Sequence, residues 1–511
     1  MNAIIRKSLA RGKRRIQQRL RVKQWPDQPQ PMFQARNIQY ERAERTHGLA
    51  AGGIGAMHLL AQRVGLIEAI DRRLHLLKCH RPYHESDHVL NIAYNLLAGG
   101  SRLEHLELRR NDEVYLDALG AQRIPDPTTA GDFCRRFTYD DLDDLTTAIN
   151  QTRFKVWRQQ PDRFFDEATL DADGTIAATT GECKYDMDIA YNGQWGYHPL
   201  IVSLAQTGEP LFLVNRSGSR PSHEGAAHCL DRSIALCRQA GFRKITLRGD
   251  TDFTQTAHLD RWDAAGVQFI FGIDAMPNLL EIAEQLPKTA WQPLLRQPKY
   301  EVRTKPRAKP ENFKEQMVVE REFENIRLLR EKVAEFDYRP TACGKTYRMV
   351  VVRKHLSHTK GQQWLFDDTK LFFYLTNDRD SPAAAVVPEA NRRSNQENLI
   401  AQLKGGVRAL DMPVDNLVSN WAYMLMASLA WTLKAWSALL LPETGRWSHK
   451  LKSQKQALLR MEFKTYVNAW MQMPCQIIRG ARRIVYRLLS WNPWQEAFLR
   501  LVDCLQRPLR C

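Results

Sequence analysis

The sequence predicts an α/β fold in which a core with a mixed β-sheet lies between two helical regions. Two changes of hydrophobic periodicity support this prediction. Apolar residues recur at helical spacing over residues 32–160, form short strand-like runs bounded by glycines and polar turns from residue 161, and return to helical spacing after residue 408. At roughly 150 residues per domain, the 511 residues suffice for about three domains, which excludes a single small binding module.

The chain carries a large positive charge. Its 74 Lys and Arg residues against 57 Asp and Glu residues give a formal net charge of +17. Such a surface attracts polyanions, either nucleic acid or anionic lipid. A membrane-spanning helix needs about 20 consecutive apolar residues, and the longest candidate, residues 421–433, is followed at once by Lys434. We therefore expect no membrane partner and favour DNA.

Basic residues concentrate at both ends of the chain. Residues 1–31 form a basic arm, in which nine Lys and Arg residues precede the first acid, Asp27. Residues 409–511 form a helical basic region, and its part from 446 to 511 has 13 basic residues against three acidic ones. The arm is either a helix that binds a polyanion or a solvated tail.

The helical region 32–160 is a candidate DNA-binding region. Within it, the segment PDPTTAGDFCRRF (125–137) predicts a short helix with a Thr N-cap after the prolines, and this helix carries Arg135 and Arg136. A basic helix of this kind suits a DNA groove. An ordinary packing helix fits the pattern equally well.

The core is predicted in two parts. The first part, residues 161–275, contains five strand-like runs and two helical stretches. The runs are 168–173, 199–205, 210–216, 244–250 and 267–273, and the helical stretches are 226–241 and 254–265. An insertion over 276–368, basic around 299–314, precedes the second part, residues 369–408, which has a strand at 370–378 and a helix at 394–406.

The nine cysteines argue against a disulfide framework. Their number is odd and none forms a Cys-x-x-Cys pair, so a zinc site is not supported either. The amino-terminus has no apolar signal-peptide core. We expect a cytoplasmic protein, and a nucleoid-associated one if DNA is its partner.

Three carboxylates are candidate metal ligands. Asp171 and Asp173 lie two residues apart on one predicted strand and so point to the same face, and Asp250 ends another strand. If the two strands are neighbours, Asp173 and Asp250 can reach one cation. Oxygen ligands of this kind suit Mg²⁺ or Mn²⁺.

Glu397 is the best candidate for a third acid. Arg393 lies four residues before it and Lys404 seven after it, so at helical spacing the three share one stripe. Such a stripe would place cations for phosphates beside a metal ligand. A solvated helix face with an ion pair fits the same spacing.

The blocks LDADGT, LRGDTDF and NRRSNQENLIAQLKGG resemble the three catalytic blocks of bacterial insertion-sequence transposases with an Asp-Asp-Glu (DDE) site. The resemblance is to DDE domain group 1 and, in particular, to the insertion sequence thirteen-eighty type. The segments YHPLIV, NRSGS and PTTAGDFCRRF are also similar to that group, so the resemblance covers roughly residues 50–440.

This resemblance implies that Asp173, Asp250 and Glu397 bind two Mg²⁺ ions, with Mn²⁺ as a substitute, on a ribonuclease-H-like sheet. Asp171 is a possible substitute for Asp173 as the ligand. Asp252 is a lesser rival to Asp250, because it stands where a helix N-cap belongs. The last block of related transposases has a Tyr where this sequence has Ala390, although the Arg, Glu and Lys positions match.

The insertion is the remaining candidate for DNA contact. Asp250 and Glu397 are 147 residues apart, too far for a simple connection, so the segment between them must have structure of its own. In similar transposases this region is β-rich and helps to grip the transposon end. Trp364 could stack on a base displaced from the duplex, or it could pack in a core.

The resemblance implies a transposase that binds the terminal inverted repeats of its insertion sequence and catalyses metal-dependent DNA cleavage and strand transfer. Its partners would be double-stranded DNA of the repeats and of the target. A homodimer would form in the synaptic complex. Two alternatives are a non-catalytic DNA-binding protein and a metal-dependent nuclease on the same fold.

Overall fold

The fold of the chain is given by a computed structural model. It describes residues 3–21, 39–40, 46–296, 311–480 and 483–509. The predicted boundary of the basic arm at residue 31 and most of the basic stretch 299–314 lie outside these ranges. None of the helices in the described ranges is long and apolar enough to cross a lipid bilayer.

The region before the core is helical, as its periodicity predicts. After α1 (Ala3–Leu20) and the short strand β1 (Gly48–Leu49) come α2 (Ile54–Arg63), α3 (Leu66–Arg73), α4 (Glu85–Leu97), a 3₁₀ turn (Leu103–His105), α5 (Leu106–Arg110), α6 (Glu113–Leu119), α7 (Pro127–Cys134), α8 (Tyr139–Trp157) and a second 3₁₀ turn (Asp162–Phe165).

The predicted Thr cap of α7 is wrong. Asp126 is the N-cap, and its carboxylate accepts a 2.8 Å hydrogen bond from the Thr129 N–H. Pro127 is the first helical residue, where the missing N–H costs nothing. Arg135 and Arg136 follow the last residue of this helix.

The core contains the five strands that the sequence predicts and three short strands between residues 177 and 197 that it does not predict. They are β2 (Glu167–Gly174), β3 (Ala177–Ala178), β4 (Asp188–Ile189), β5 (Trp195–Tyr197), β6 (Leu200–Leu204), β7 (Glu209–Val214), β8 (Lys244–Gly249) and β9 (Gln268–Ile273). Between them lie α9 (Ala226–Ala240), a 3₁₀ turn (Thr251–Phe253) and α10 (Thr256–Ala264). β3, β5 and β4 form a small separate sheet.

The sheet order is that of a ribonuclease-H-like core. Its first five strands along the chain have the order β7-β6-β2-β8-β9. β8 runs parallel to β2 and β9 parallel to β8, whereas β6 is antiparallel to both β2 and β7. β2 is buried from Ala168 to Ala172, as expected for a strand covered on both faces. The predicted fold class is confirmed.

The insertion extends this sheet. After α11 (Pro277–Gln285) and a 3₁₀ turn (Lys288–Ala290) come β10 (Gln292–Pro293), α12 (Phe313–Glu320), β11 (Glu324–Tyr338), β12 (Tyr347–Lys360) and β13 (Gln363–Thr376). β13 pairs with β9, and β12, β11 and β10 follow it to give a nine-stranded sheet in the described part of the chain. The predicted boundary at residue 368 therefore falls inside β13.

The remainder is mostly helical. It comprises α13 (Ala383–Asn391), α14 (Ser394–Ala401), a π-helical turn (Gln402–Gly406), α15 (Leu417–Leu439), α16 (Ser448–Arg460), α17 (Phe463–Tyr466), a second π-helical turn (Val467–Met471), the hairpin β14 (Cys475–Gly480) and β15 (Arg483–Leu488), and α18 (Gln495–Leu505). The hairpin, which pairs with β1, was not predicted.

A buried carboxylate joins the helical regions to the sheet. Glu209 on β7 is fully buried and pairs with buried Arg153 of α8 at 3.0 Å. Trp436 of the buried helix α15 donates its indole N–H to the same carboxylate at 2.8 Å, and Trp157 of α8 does so at 3.1 Å. Each oxygen is thus satisfied, as a buried charge requires.

Candidate active site

Asp173 and Asp250 lie at the same edge of the sheet. Asp173 is the last residue but one of β2, and Asp250 directly follows β8. These strands are parallel neighbours in which Asp171 stands opposite Arg248. The register therefore brings the two acids together. Asp250, rather than Asp252, caps the following 3₁₀ turn by accepting a hydrogen bond from the Asp252 N–H.

Glu397 reaches the same edge from α14. Its neighbour Gln396 is buried and donates to the Ile201 carbonyl at 3.0 Å, while its side-chain oxygen accepts a hydrogen bond from the Ser203 hydroxyl. Both contacts are to β6, so they hold α14 across the sheet. Glu397 points to solvent with 62% of its side chain exposed, whereas that of Asp173 is 14% exposed.

The three acids converge on Arg393. Its Nη1 lies 3.3 Å from Asp173 Oδ2 and 3.4 Å from Asp250 Oδ2, and its Nη2 lies 3.6 Å from Glu397 Oε1. Arg393 immediately precedes α14. One cation thus touches all three acids that the sequence selects.

The electrostatics of this cluster favour a cation. Burial, followed by the charge of Asp250, raises the pKa of Asp173 to about 7. Burial also raises the pKa of Asp250, while Arg393 opposes that rise. Carboxylates in this position repel one another when ionised, and added positive charge relieves the repulsion.

The chemistry of the donor set suits a hard divalent cation, because all three side chains end in carboxylate oxygens. In the described part of the chain no three His, Cys, Asp or Glu side chains lie close enough to enclose a metal ion. Arg393 occupies the space between the acids, so a metal ion requires this guanidinium to move.

Asp171 has a different environment from Asp173. It is buried, and both its oxygens accept hydrogen bonds from Arg248, at 2.7 and 2.8 Å. Arg248 also donates to Glu389 Oε1 at 2.7 Å, and Arg392 donates to Glu389 Oε2 at 2.6 Å. Asp171 is thus the first member of an ionic chain that ties β2 and β8 to α13.

Gly174 explains the Asp-Gly pair of the first block. A Cβ atom at this position would lie 2.9 Å from His198 Nε2 and 3.4 Å from Arg216 Nη2. The His198 ring is held through Nδ1, 2.9 Å from the Arg220 carbonyl. A side chain at residue 174 would therefore displace the His198 ring from its position beside the Asp-Gly pair.

The remaining basic residues that the sequence selects form no ion pair with the three acids within the described ranges. Lys404 lies on the π-helical turn after α14, where burial lowers its pKa. Arg135 is paired with Asp132 at 2.8 Å and with Asp415 at 3.0 Å, so its charge is already compensated, whereas Arg136 is exposed. Lys404 has no carboxylate within ion-pair distance among the described residues.

Trp364 is not a core residue. It lies on β13 with 61% of its surface exposed, and its indole N–H donates to Asp367 at 3.0 Å. The core alternative is therefore wrong, and the indole is free to stack on another molecule.

Sequence reasoning missed Arg248 and Glu389. Arg248 precedes Asp250 by two residues within the second block, in a strand whose burial was expected. A charged residue in such a strand signals a buried partner. The sequence does not show that the partner is Asp171, because the two residues meet only through strand pairing.

The sequence and the fold of the chain are similar to those of known transposases. The family described as transposase DDE domain group 1 matches residues 47–509. No curated protein matches the chain significantly. A solved structure of piggyBac transposase in a synaptic complex with hairpin DNA is similar at 10% identity and a TM-score of 0.37, with 83% of this chain and 81% of that chain covered.

Proposed function

The chain belongs to the transposase DDE domain group 1 family, and on that premise we propose that it moves its own insertion sequence by cutting and joining DNA. In this proposal it binds the terminal inverted repeats, cleaves there and transfers the ends to target DNA. The observation that carries the proposal is the convergence of Asp173, Asp250 and Glu397 on one cationic group.

We propose that the three acids hold two Mg²⁺ ions, with Mn²⁺ as a substitute. When bound, these ions supply a lowered pKa for an attacking water or hydroxyl and charge stabilisation for the leaving oxygen. Asp173 is favoured over Asp171 as the ligand, because Arg248 already occupies both oxygens of Asp171.

Other residues of the chain would then contact the phosphates and bases of the DNA. Arg393, displaced from the acids, is placed to pair with a phosphate of the cleaved strand. Lys404 carries a second charge on the segment that continues α14. Trp364 on β13 would stack on a base beside the cleavage point, as exposed aromatics do on unpaired DNA.

Joining two transposon ends requires that both be held together, which favours a homodimer in the synaptic complex. The insertion sequence thirteen-eighty type is part of the same proposal, as is a position on the bacterial nucleoid. Arg136 is a candidate for duplex contact, and Arg135 becomes one only if it leaves Asp132 and Asp415.

The test uses the full chain with a duplex that carries one terminal repeat and its flanking DNA. With Mg²⁺ we expect cleavage at the repeat boundary and covalent joining of that end to a plasmid, and with EDTA we expect binding alone. Binding without products under all metal conditions would support a non-catalytic DNA-binding protein. Cleavage of repeat-free DNA at the same rate, without joining, would support a nuclease.

A further inference from the structure

The helix α1 has two chemically different sides. At 100° per residue, Ile5, Leu9, Gly12, Ile16 and Leu20 form one apolar stripe. The basic side chains spread over the rest of its circumference; within residues 3–21 they are Arg6, Lys7, Arg11, Lys13, Arg14, Arg15, Arg19 and Arg21. This segment contains no acid. None of these eight cations has a carboxylate within ion-pair distance among the described residues.

The apolar stripe of α1 contacts the carboxy-terminal region at Gly12, while Ile5, Ile16 and Leu20 on the same stripe are exposed. A Cβ atom at Gly12 would lie 3.0 Å from Trp491 Cβ and 3.4 Å from its Cγ and Cδ1. The helix backbone therefore approaches Trp491 as closely as a residue without a side chain permits. Because Gly12 faces Trp491, the basic residues on the opposite side of the helix face away from it.

Trp491 comes three residues after β15, which adds further cations. Arg483, Val485 and Arg487 alternate along this strand on one exposed face. Tyr486 points to the other face, where its hydroxyl donates to the Ala118 carbonyl at 2.7 Å. Arg487 donates to the neutral Gln476, and Arg483 has no carboxylate partner within the described ranges.

We propose that α1 and the outer face of β15 form one terminal basic surface that holds duplex DNA by its phosphates, separately from the acid cluster. The proposal rests on DNA being the substrate. The 18 residues of α1 span about 27 Å, or roughly eight base pairs. The two ends of the chain would then act together, with Gly12 and Trp491 as the contact between them.

The experiment measures salt-dependent affinity of the full chain for a 40-base-pair duplex without terminal repeats, in EDTA. Gly12→Leu replaces a poor helix former in α1 by a good one but prevents the close contact with Trp491. Trp491→Ala removes the contacting indole without changing α1. A second variant combines Arg483→Gln with Arg487→Gln. Lys288→Gln, an exposed cation elsewhere, is the control. Circular dichroism of each variant verifies its helical content.

We expect Gly12→Leu and Trp491→Ala each to weaken binding about tenfold at 0.15 M salt. In the double Arg variant, the slope of the logarithm of the binding constant against the logarithm of the salt concentration should decrease in magnitude by about two. Combining Gly12→Leu with the double Arg variant should reduce the DNA affinity by less than the product of the two separate reductions, because both changes disrupt the same surface.

Unchanged affinity in both Gly12→Leu and Trp491→Ala would overturn the proposal, and so would strictly multiplicative effects, which indicate two independent surfaces. Binding to phosphatidylserine vesicles that is lost in Gly12→Leu, with unchanged DNA affinity, would overturn it in favour of a lipid partner. Because no metal or cleavage is involved, these outcomes do not depend on whether the acid cluster is catalytic.

Discussion

Arg393 Nη1 lies 3.3 Å from Asp173 Oδ2, and the same guanidinium touches the other two acids of the cluster. An internal cation thus compensates part of the negative charge of the carboxylates that we propose as metal ligands. If the acids bind a metal ion as we propose, binding would exchange one cation for another. The exchange can be measured without any DNA.

Replacing Arg393 by Gln should destabilise the metal-free protein and increase its response to Mg²⁺. We expect the melting temperature in EDTA to fall by roughly 2–4 °C, which corresponds to about 1 kcal/mol, and saturating Mg²⁺ to restore more stability than it adds to the wild type. Arg392→Gln is the control, because its side chain is 68% exposed and pairs only with Glu389 among the described residues. An equal Mg²⁺ response in all three proteins would contradict the exchange.

The buried pair Asp171–Arg248 should be structural. Asp171→Asn leaves the buried guanidinium of Arg248 with Glu389 as its remaining ionic partner, so we expect a loss of up to about 3–5 kcal/mol in the free energy of unfolding. Asp171→Leu combined with Arg248→Met removes both charges and should recover most of that loss. Urea unfolding of the single and double variants measures the coupling. An Asp171→Asn protein as stable as the wild type would return Asp171 to the list of candidate metal ligands.

Lys434 should make stability depend on pH. It is fully buried in α15, donates to the Leu459 carbonyl at 2.8 Å and lies 3.7 Å from the Trp431 ring. Burial lowers the pKa of Lys434 to about 7 from the ordinary 10.5. The unfolded chain therefore binds an extra proton between about pH 7 and pH 10.5. The destabilisation of the folded state by this buried lysine is therefore complete below pH 7 and disappears as the pH rises through that window.

Lys434→Met tests this dependence. The variant should be more stable than the wild type at pH 6, and the difference should shrink towards pH 10, by about 1.4 kcal/mol for each pH unit of the window at most. Urea midpoints at both pH values measure the change. A difference that is constant with pH would show that the lysine keeps its ordinary pKa.

Trp364→Ala should change DNA distortion without changing stability, because the indole is exposed on β13. With 2-aminopurine at the repeat boundary, we expect the wild type to alter the fluorescence of the probe and the variant to lose most of that effect. The affinity should fall by about 1–3 kcal/mol. Trp447→Ala, whose indole is similarly exposed at 65%, is the matched control. Equal probe signals from both variants would remove Trp364 from the DNA contact.

Local pattern was sufficient to predict the five core strands and the positions of Asp173 and Asp250. Both acids follow apolar runs, and parallel neighbouring strands end at the same edge. The same reasoning left Asp171 and Asp173 equivalent, because both point to one face. Strand pairing separates them, since it puts Arg248 opposite Asp171, and no local pattern encodes that pairing.

Other features depended on contacts between distant parts of the chain. The segment of β14 and β15 has the alternating pattern of strands, but its arginines are equally typical of a solvated basic tail. The pairing of β14 with the distant strand β1 distinguishes the two, and the sequence does not show that pairing. Trp364 is a residue type that usually packs in a core, yet the first part of β13, which carries it, is exposed or half-buried. The Thr cap of α7 failed for a local reason, because Asp126 is the better capping residue before Pro127.

If Asp173, Asp250 and Glu397 perform the DNA chemistry, their isosteric variants should fail in Mg²⁺-dependent strand transfer of a pre-cleaved terminal-repeat end, which is the most direct test. Asp274→Asn is the matched control, since Asp274 follows the neighbouring strand β9 but does not contact Arg393. We expect Asp173→Asn, Asp250→Asn and Glu397→Gln each to reduce the rate at least about a thousandfold, or roughly 4 kcal/mol, with end binding retained. Asp274→Asn should keep the wild-type rate. Transfer by Asp250→Asn or Glu397→Gln within tenfold of the wild type would contradict the claim.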